Sequence, residues 1–145
     1  PGMRIEAVRA SALDTHEELE RRIFGISGDQ AARRRAAIGA AIESGHLRAW
    51  VIWLGDAPVA VARLSQGEGA VGLQGIGVVE GYRGQGYGTL ITTIATRTGI
   101  ATGNRLVWLS VREDNDPAVS AYSALGFERV FSWTRWLVTE DPRQR

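Results

Sequence analysis

The chain has 145 residues, 44% hydrophobic and 23% charged, with a formal net charge of +1. These are the values of one globular domain with a single core, not of a disordered chain or of a protein that binds nucleic acid through a broad basic field. Cysteine is absent and all 17 basic residues are arginine, which excludes disulfides, thiolate nucleophiles, cysteine metal sites, Schiff-base lysines and the Walker lysine. Lack of cysteine fits a cytoplasmic protein. The lysine deficit reads as a base-composition bias of the source. No apolar run approaches the roughly 20 residues of a membrane span, and no secretory leader is visible. Pro1-Gly2 ahead of Met3 reads as a cloning remnant, and 1–145 as one domain with a frayed tail at 141–145.

Arg4 to Arg9 alternates Ile5, Ala7 and Val8 with charge and predicts a first strand. Asp14 or Thr15 can cap a helix running to Phe24, with Glu17 and Glu18 in its first turn. Gly25 to Gly28 breaks that helix, and Gln30 to Glu43 predicts a second, with Arg33-Arg34-Arg35 as its solvated face. Trp50 to Leu54 and Val59 to Leu64 form a hairpin about Gly55-Asp56-Ala57-Pro58, and Gly67-Glu68-Gly69 turns into a strand ending near Val78. A helix reaches about Thr102, and Leu106 to Val111 reads as a central strand with Trp108 in the core. Asn115-Asp116-Pro117 starts a short helix ending at Gly126, and Phe127 to Val138 supplies one or two last strands. The order predicts a mixed α+β fold whose mixed sheet carries helices on both faces.

The most informative stretch runs from Ile76-Gly77-Val78 through Arg83-Gly84-Gln85-Gly86-Tyr87-Gly88-Thr89 into the helix marked by Leu90, Ile91 and Ile94. Glycines at 84, 86 and 88 let main-chain amides approach an anion at a helix N-terminus, where open N–H groups and the macrodipole favour negative charge. A phosphorylated cofactor held by main chain is the expected ligand. A Walker loop fails for want of lysine. A dinucleotide fingerprint fails because its third glycine position is Thr89 and the loop comes late in the chain. An ordinary tight connection remains the bland alternative.

Downstream, Asn115-x-x-Ala118-x-x-x-Tyr122-x-x-x-Gly126-Phe127 follows the strand ending at Val111. With the Arg83-x-x-Gly86-x-Gly88 turn and the order of elements, this resembles the GNAT superfamily of acyl-CoA-dependent N-acetyltransferases. The resemblance covers most of the chain in element order and is residue-specific from Ile76 to Phe127. It implies a mostly antiparallel GNAT sheet and acetyl-CoA as co-substrate, with no metal. The main chain of Ile76, Gly77 and Val78 would pair with the pantetheine. Amides of Arg83, Gly84, Gln85, Gly86, Tyr87, Gly88 and Thr89 would wrap the pyrophosphate, Arg83 adding a charge-assisted partner. Asn115 would bond the pantetheine or fix its turn. Tyr122 would lie near the sulfur as general acid, with the Val78 amide as oxyanion donor.

A carboxylate base on the central strands, frequent in relatives, is missing: Ser110, Gly72 and Gln74 stand at such places. Glu68, Glu80, Glu113 and Asp114 are the nearby acids, each competing with exposed loop charge. Neutralising an amine of pKa about 10.4 at pH 7 costs roughly 4–5 kcal/mol, against about 1–1.5 for one near 8. Water relay or a weakly basic amine is therefore expected. His16 is expected on the surface and His46 in a structural turn, with no metal site between them. Trp50 and Trp53, like Trp133 and Trp136, must face opposite sides of their strands. Some of the tryptophans then line an acceptor cleft, which hints at an apolar or aromatic acceptor, or a contact in a homodimer. The acceptor is an amine on a small molecule, a peptide or a protein terminus, with no nucleic acid or membrane as partner. The rival reading is a coenzyme-binding module without turnover, a sensor or a degenerate half of a larger assembly.

Overall fold

A computed structural model describes residues 2–136. Five strands lie in the order β1 (Met3–Ala7), β2 (Leu47–Leu54), β3 (Ala57–Gln66), β4 (Ala70–Val78) and β5 (Leu106–Leu109). The first four pair antiparallel and β4 pairs β5 in parallel. A parallel pair needs a crossover, and α3 (Tyr87–Ala101) supplies it. The mixed α+β sheet, mostly antiparallel, matches the expectation.

Helices cover both faces. On one side α1 (Asp14–Phe24) and α2 (Asp29–Glu43) seal Leu19, Val51 and Val61, and Leu13, Ile38 and Leu47. On the other α3 packs Ile91 and Ala95 against Ile52, Ala60, Ala62, Leu64, Val71 and Leu73. Because β2 and β3 are covered on both sides, they are apolar almost throughout rather than alternating. Trp50 joins the α3-side core and Trp53 the opposite side, as their spacing requires.

Several expectations are corrected. Residues 127–136 form no strand, and Val138 of the expected last strands lies outside the described residues, as does the tail at 141–145. β-rich composition makes a strand only where an edge receives it. Here Val130, Phe131, Trp133 and Trp136 stand 82%, 73%, 55% and 88% exposed. Consequently β5 is the edge of the described sheet rather than central, and Trp108 is 46% exposed rather than core.

His16 is fully buried, not superficial. It shares the inner face of α1 with Glu20, whose carboxylate accepts from Arg34 of α2 at 2.8 Å and lies 3.3 Å from Arg63 of β3. The arginine run is therefore not simply solvated, since Arg35 also pairs with Asp14 and Glu17. Burial holds the His16 imidazole down at about 4, Arg63 and Arg34 adding to the effect and Glu20 opposing it. The unfolded chain takes up a proton near pH 6.5 that the fold refuses until about pH 4. Stability from this group is thus complete above pH 6.5 and falls as pH drops through that window, by of order 3 kcal/mol. Denaturation at pH 7 and 4.5 is expected to show a steeper loss in the native chain than in a His16→Gln variant; equal losses would refute it.

Candidate functional site

β4 and β5 pair only over Ala70–Leu73 and Leu106–Leu109, after which β4 runs on to Val78 without it. A slot opens along the main chain of residues 74–78. On the opposite edge, Val79 donates to Val59 O at 2.9 Å, so these two form a hydrogen-bonded pair. By the alternation of antiparallel pairing, Val78, opposite Ala60, turns its N–H away from β3 and into the slot. The side chains of Ile76 and Val78 pack into the α3-side core, so the slot is walled by backbone.

The slot ends at the glycine turn. A single 3-10 turn at Glu80–Tyr82 leads through Arg83 to Gly84 (φ 73°) and Gly86 (φ 88°). Both need glycine, and neither has an atom within 4 Å of where a Cβ would stand. No side chain caps α3, so the amides of Tyr87, Gly88 and Thr89 lack intrahelical partners and present the positive end of the helix. Gly88 lies close to Val78, 3.5 Å from Cβ position to Cγ2, which docks this turn on the end of β4. Arg83 folds back, its Nε donating to Val78 O at 3.1 Å, and Gln85 donates to Gly81 O at 3.3 Å.

Asn115 caps α4 (Asp116–Ala124), its Oδ1 accepting from the Ala118 amide at 3.4 Å. α4 packs against α3. Tyr122 on it is half-buried, edge-to-face with Phe127 at 6.1 Å between ring centres. Burial pushes the Tyr122 phenol up, so it stays protonated at neutral pH and can donate.

The α1-facing side of β4 carries glycines at 72, 75 and 77, each position filled by a neighbour, with the exposed Gln74 opposite Arg63 between them. A Cβ at Gly72 would stand 2.7 Å from the Trp108 indole; at Gly75 (φ 56°), 2.8 Å from Arg63 and 2.9 Å from Glu20; at Gly77, 2.6 Å from Ile23 and 2.8 Å from Phe24. Trp108 thus occupies the space a carboxylate at position 72 would use. The acids named from sequence are all exposed. Asp114 is engaged by Arg112, and Glu113 by Arg129 and Ser132.

The Glu20 cluster escaped the sequence reading. His16 and Glu20 stand four apart on the stripe that also carries Ile23, a spacing that could have flagged them. A cleft of about 290 Å³ between α1 and α2 has its Asp14, Glu17, Glu18 and Glu20 carboxylates bonded to arginines, so it offers no uncommitted charge. Among the described residues no group of His, Asp and Glu could hold a metal, and no helix is long and apolar enough to cross a membrane.

A model of the acetyltransferase (GNAT) family matches residues 12–127. Among curated proteins, a mycothiol acetyltransferase of Corynebacterium efficiens is 44% identical over 52 residues, 36% of this chain and 18% of that protein. The aligned part is thus under a fifth of the relative's length. Among solved structures, the aminoglycoside N-acetyltransferase AAC(6')-Iy in complex with CoA superposes with a TM-score of 0.78 at 21% identity, covering 95% of each chain. The ribosomal-protein-S18-alanine N-acetyltransferase of Escherichia coli gives a TM-score of 0.71 at 19% identity, covering 90% of this chain and 80% of that one. These two likenesses establish a shared fold.

Proposed function

The chain belongs to the acetyltransferase (GNAT) family, and from that premise we propose that it transfers an acetyl group from acetyl-CoA directly to an amine. The observation that carries the reading is the backbone slot of residues 74–78 ending on the uncapped first turn of α3. In this reading the amides from Arg83 to Thr89, with the Arg83 guanidinium beside them, hold the pyrophosphate. Ile76, Gly77 and Val78 take the pantetheine as an added strand. The Val78 N–H, turned into the slot, donates to the oxygen that gains charge when the amine attacks the thioester. Tyr122, kept protonated by burial, hands its proton to the departing thiolate. Asn115 holds the start of α4 and hence the phenol. With β4 carrying glycine at 72, 75 and 77, proton removal from the amine falls to water and main-chain carbonyls. That arrangement favours a small, weakly basic amine over a lysine-type one.

Calorimetry with CoA, run beside thiol release from acetyl-CoA over an amine panel, tests the reading. CoA binding that weakens with added salt, together with release on at least one amine, is expected. Absence of CoA binding would overturn it. Binding with no release on any amine would favour a coenzyme-binding module without turnover.

A further inference from the structure

Among the described residues β1 is the outer edge of the sheet, and all of its residues are exposed. Gly55 donates to Gly2 O and Val8 to Ala49 O, both at 2.9 Å, so Gly2 and Val8 sit in hydrogen-bonded pairs with β2. By the alternation of antiparallel pairing, Arg4 and Glu6 also direct their main-chain groups to β2. Met3, Ile5 and Ala7 turn N–H and C=O outward to the free edge. Side chains alternate as well. Arg4 and Glu6, opposite Trp53 and Val51, stand on the α1 side, their side chains 49% and 55% exposed and Arg4 Nε 3.7 Å from Glu6 Oε2. Met3, Ile5 and Ala7, opposite Leu54, Ile52 and Trp50, stand on the α3 side, where Met3 and Ile5 remain 51% and 40% exposed.

We propose that this edge receives a second copy of the chain, the two β1 strands pairing antiparallel about a two-fold axis through Ile5. The segment Met3-Arg4-Ile5-Glu6-Ala7 is complementary to its own reverse. With Ile5 opposite Ile5, Met3 faces Ala7 and Arg4 faces Glu6 of the second copy, on both sides of the axis. The outward main-chain groups of Met3, Ile5 and Ala7 then meet one another and complete a ladder of about six hydrogen bonds. Arg4 and Glu6 fall in the non-hydrogen-bonded pairs, where side chains come closest. Each cation gains a carboxylate across the axis beside the one on its own strand, so charge alternates around a ring of four. The neighbouring registers that keep the ladder are centred on Arg4 or on Glu6, and they set like charges opposite each other. Charges on an edge strand ordinarily prevent pairing. Here symmetry makes them the element that selects one register. On the other face Met3, Ile5 and Ala7 of both copies bring their apolar surfaces together. Such an isologous contact closes at two copies. It joins two sheets at the edge remote from β5 and leaves both slots along residues 74–78 open.

One short strand a side makes a small interface, so association in the micromolar range is expected. Sedimentation equilibrium over roughly 1–300 µM should show a monomer–dimer equilibrium that weakens with added salt. Arg4→Glu and Glu6→Arg should each weaken dimerisation about tenfold or more. Mixing the two variants in equal amounts should restore it, because the mixed pair sets opposite charges together on both sides of the axis. CoA affinity should be the same in the native chain and in both variants, so a failure to dimerise leaves the acetyltransferase reading untouched. A native chain that stays monomeric would overturn the proposal. So would variants that keep the native denaturation curve and dimerise as well as the native chain, or whose mixture associates no better than either alone. Should charge reversal harm the fold, cysteine pairing decides the register. The chain has no cysteine of its own. In a mixture of Arg4→Cys with Glu6→Cys the two thiols face each other at about 4.5 Å between Cα atoms, within disulfide range, while one Arg4–Glu6 pair survives. Oxidation should cross-link the mixture and neither variant alone; no cross-link in the mixture, or equal cross-linking of the separate variants, overturns the proposal.

Discussion

Replacing Tyr122 by phenylalanine is expected to lower kcat by about 10²–10⁴-fold while leaving acetyl-CoA affinity intact. The substitution removes one oxygen and keeps the ring that packs edge-to-face on Phe127, so the fold and the backbone slot along β4 should persist. What disappears is the donor that the proposed mechanism assigns to the leaving thiolate. Because burial raises the phenol pKa above its ordinary value, the native enzyme should hold its kcat through neutral and mildly alkaline pH and lose it only where that phenol ionises. The variant should lack this alkaline limb. Steady-state kinetics across pH, with CoA calorimetry alongside, provide the check; unchanged turnover in Tyr122→Phe would remove the phenol from the mechanism.

The largest expected loss of stability follows from Glu20→Ala. Glu20 is 2% exposed and joins α2 through Arg34 to β3 through Arg63, itself 8% exposed. Deleting one member of a buried ion pair leaves the other uncompensated, at a cost of about 3–5 kcal/mol. The effect should reach beyond stability, because Arg63 and Glu20 fill the space over Gly75, at the irregularity where β4 shifts register against β3. That bend re-aims the strand whose next residues wall the slot. Urea denaturation of Glu20→Ala should show the loss, and a Glu20→Leu/Arg63→Met double variant should recover much of it by removing both charges. A single variant as stable as the native chain would mean the cluster is not a structural tie.

Much of the architecture was legible because the decisive signals are local. Gly84 and Gly86 sit at positive φ, and a turn rich in glycine before a helical apolar period announces that geometry by itself. Gly25 ends α1 in the left-handed conformation for the same reason. The spacing of Trp50 and Trp53 alone put them on opposite faces. What escaped the sequence depends on partners far along the chain. His16 is buried because β3 and α2 deliver Arg63 and Arg34 to the face of α1 on which it stands. Trp108 lies in an apolar run that reads as central, yet its exposure depends on what covers the far edge of β5. Phe127 to Trp136 has strand-like composition, but without ladder bonds to an edge that composition stays irregular. The missing base is the subtlest case. Glycine at 72 reads as a lost acid until the structure puts an indole in its space.

The glycine row on β4 has a consequence for how such an enzyme changes over time. On the proposed reading β4 lies along the coenzyme, yet it carries no side chains at 72, 75 and 77, where the space is taken by Trp108, Arg63, Glu20, Ile23 and Phe24 on other elements. Selectivity can therefore be rewritten by substitutions in β5 or α1 alone. On the proposed reading the coenzyme-handling strand then stays constant, and drift toward a new amine need not pass through a form that has lost its grip on the donor.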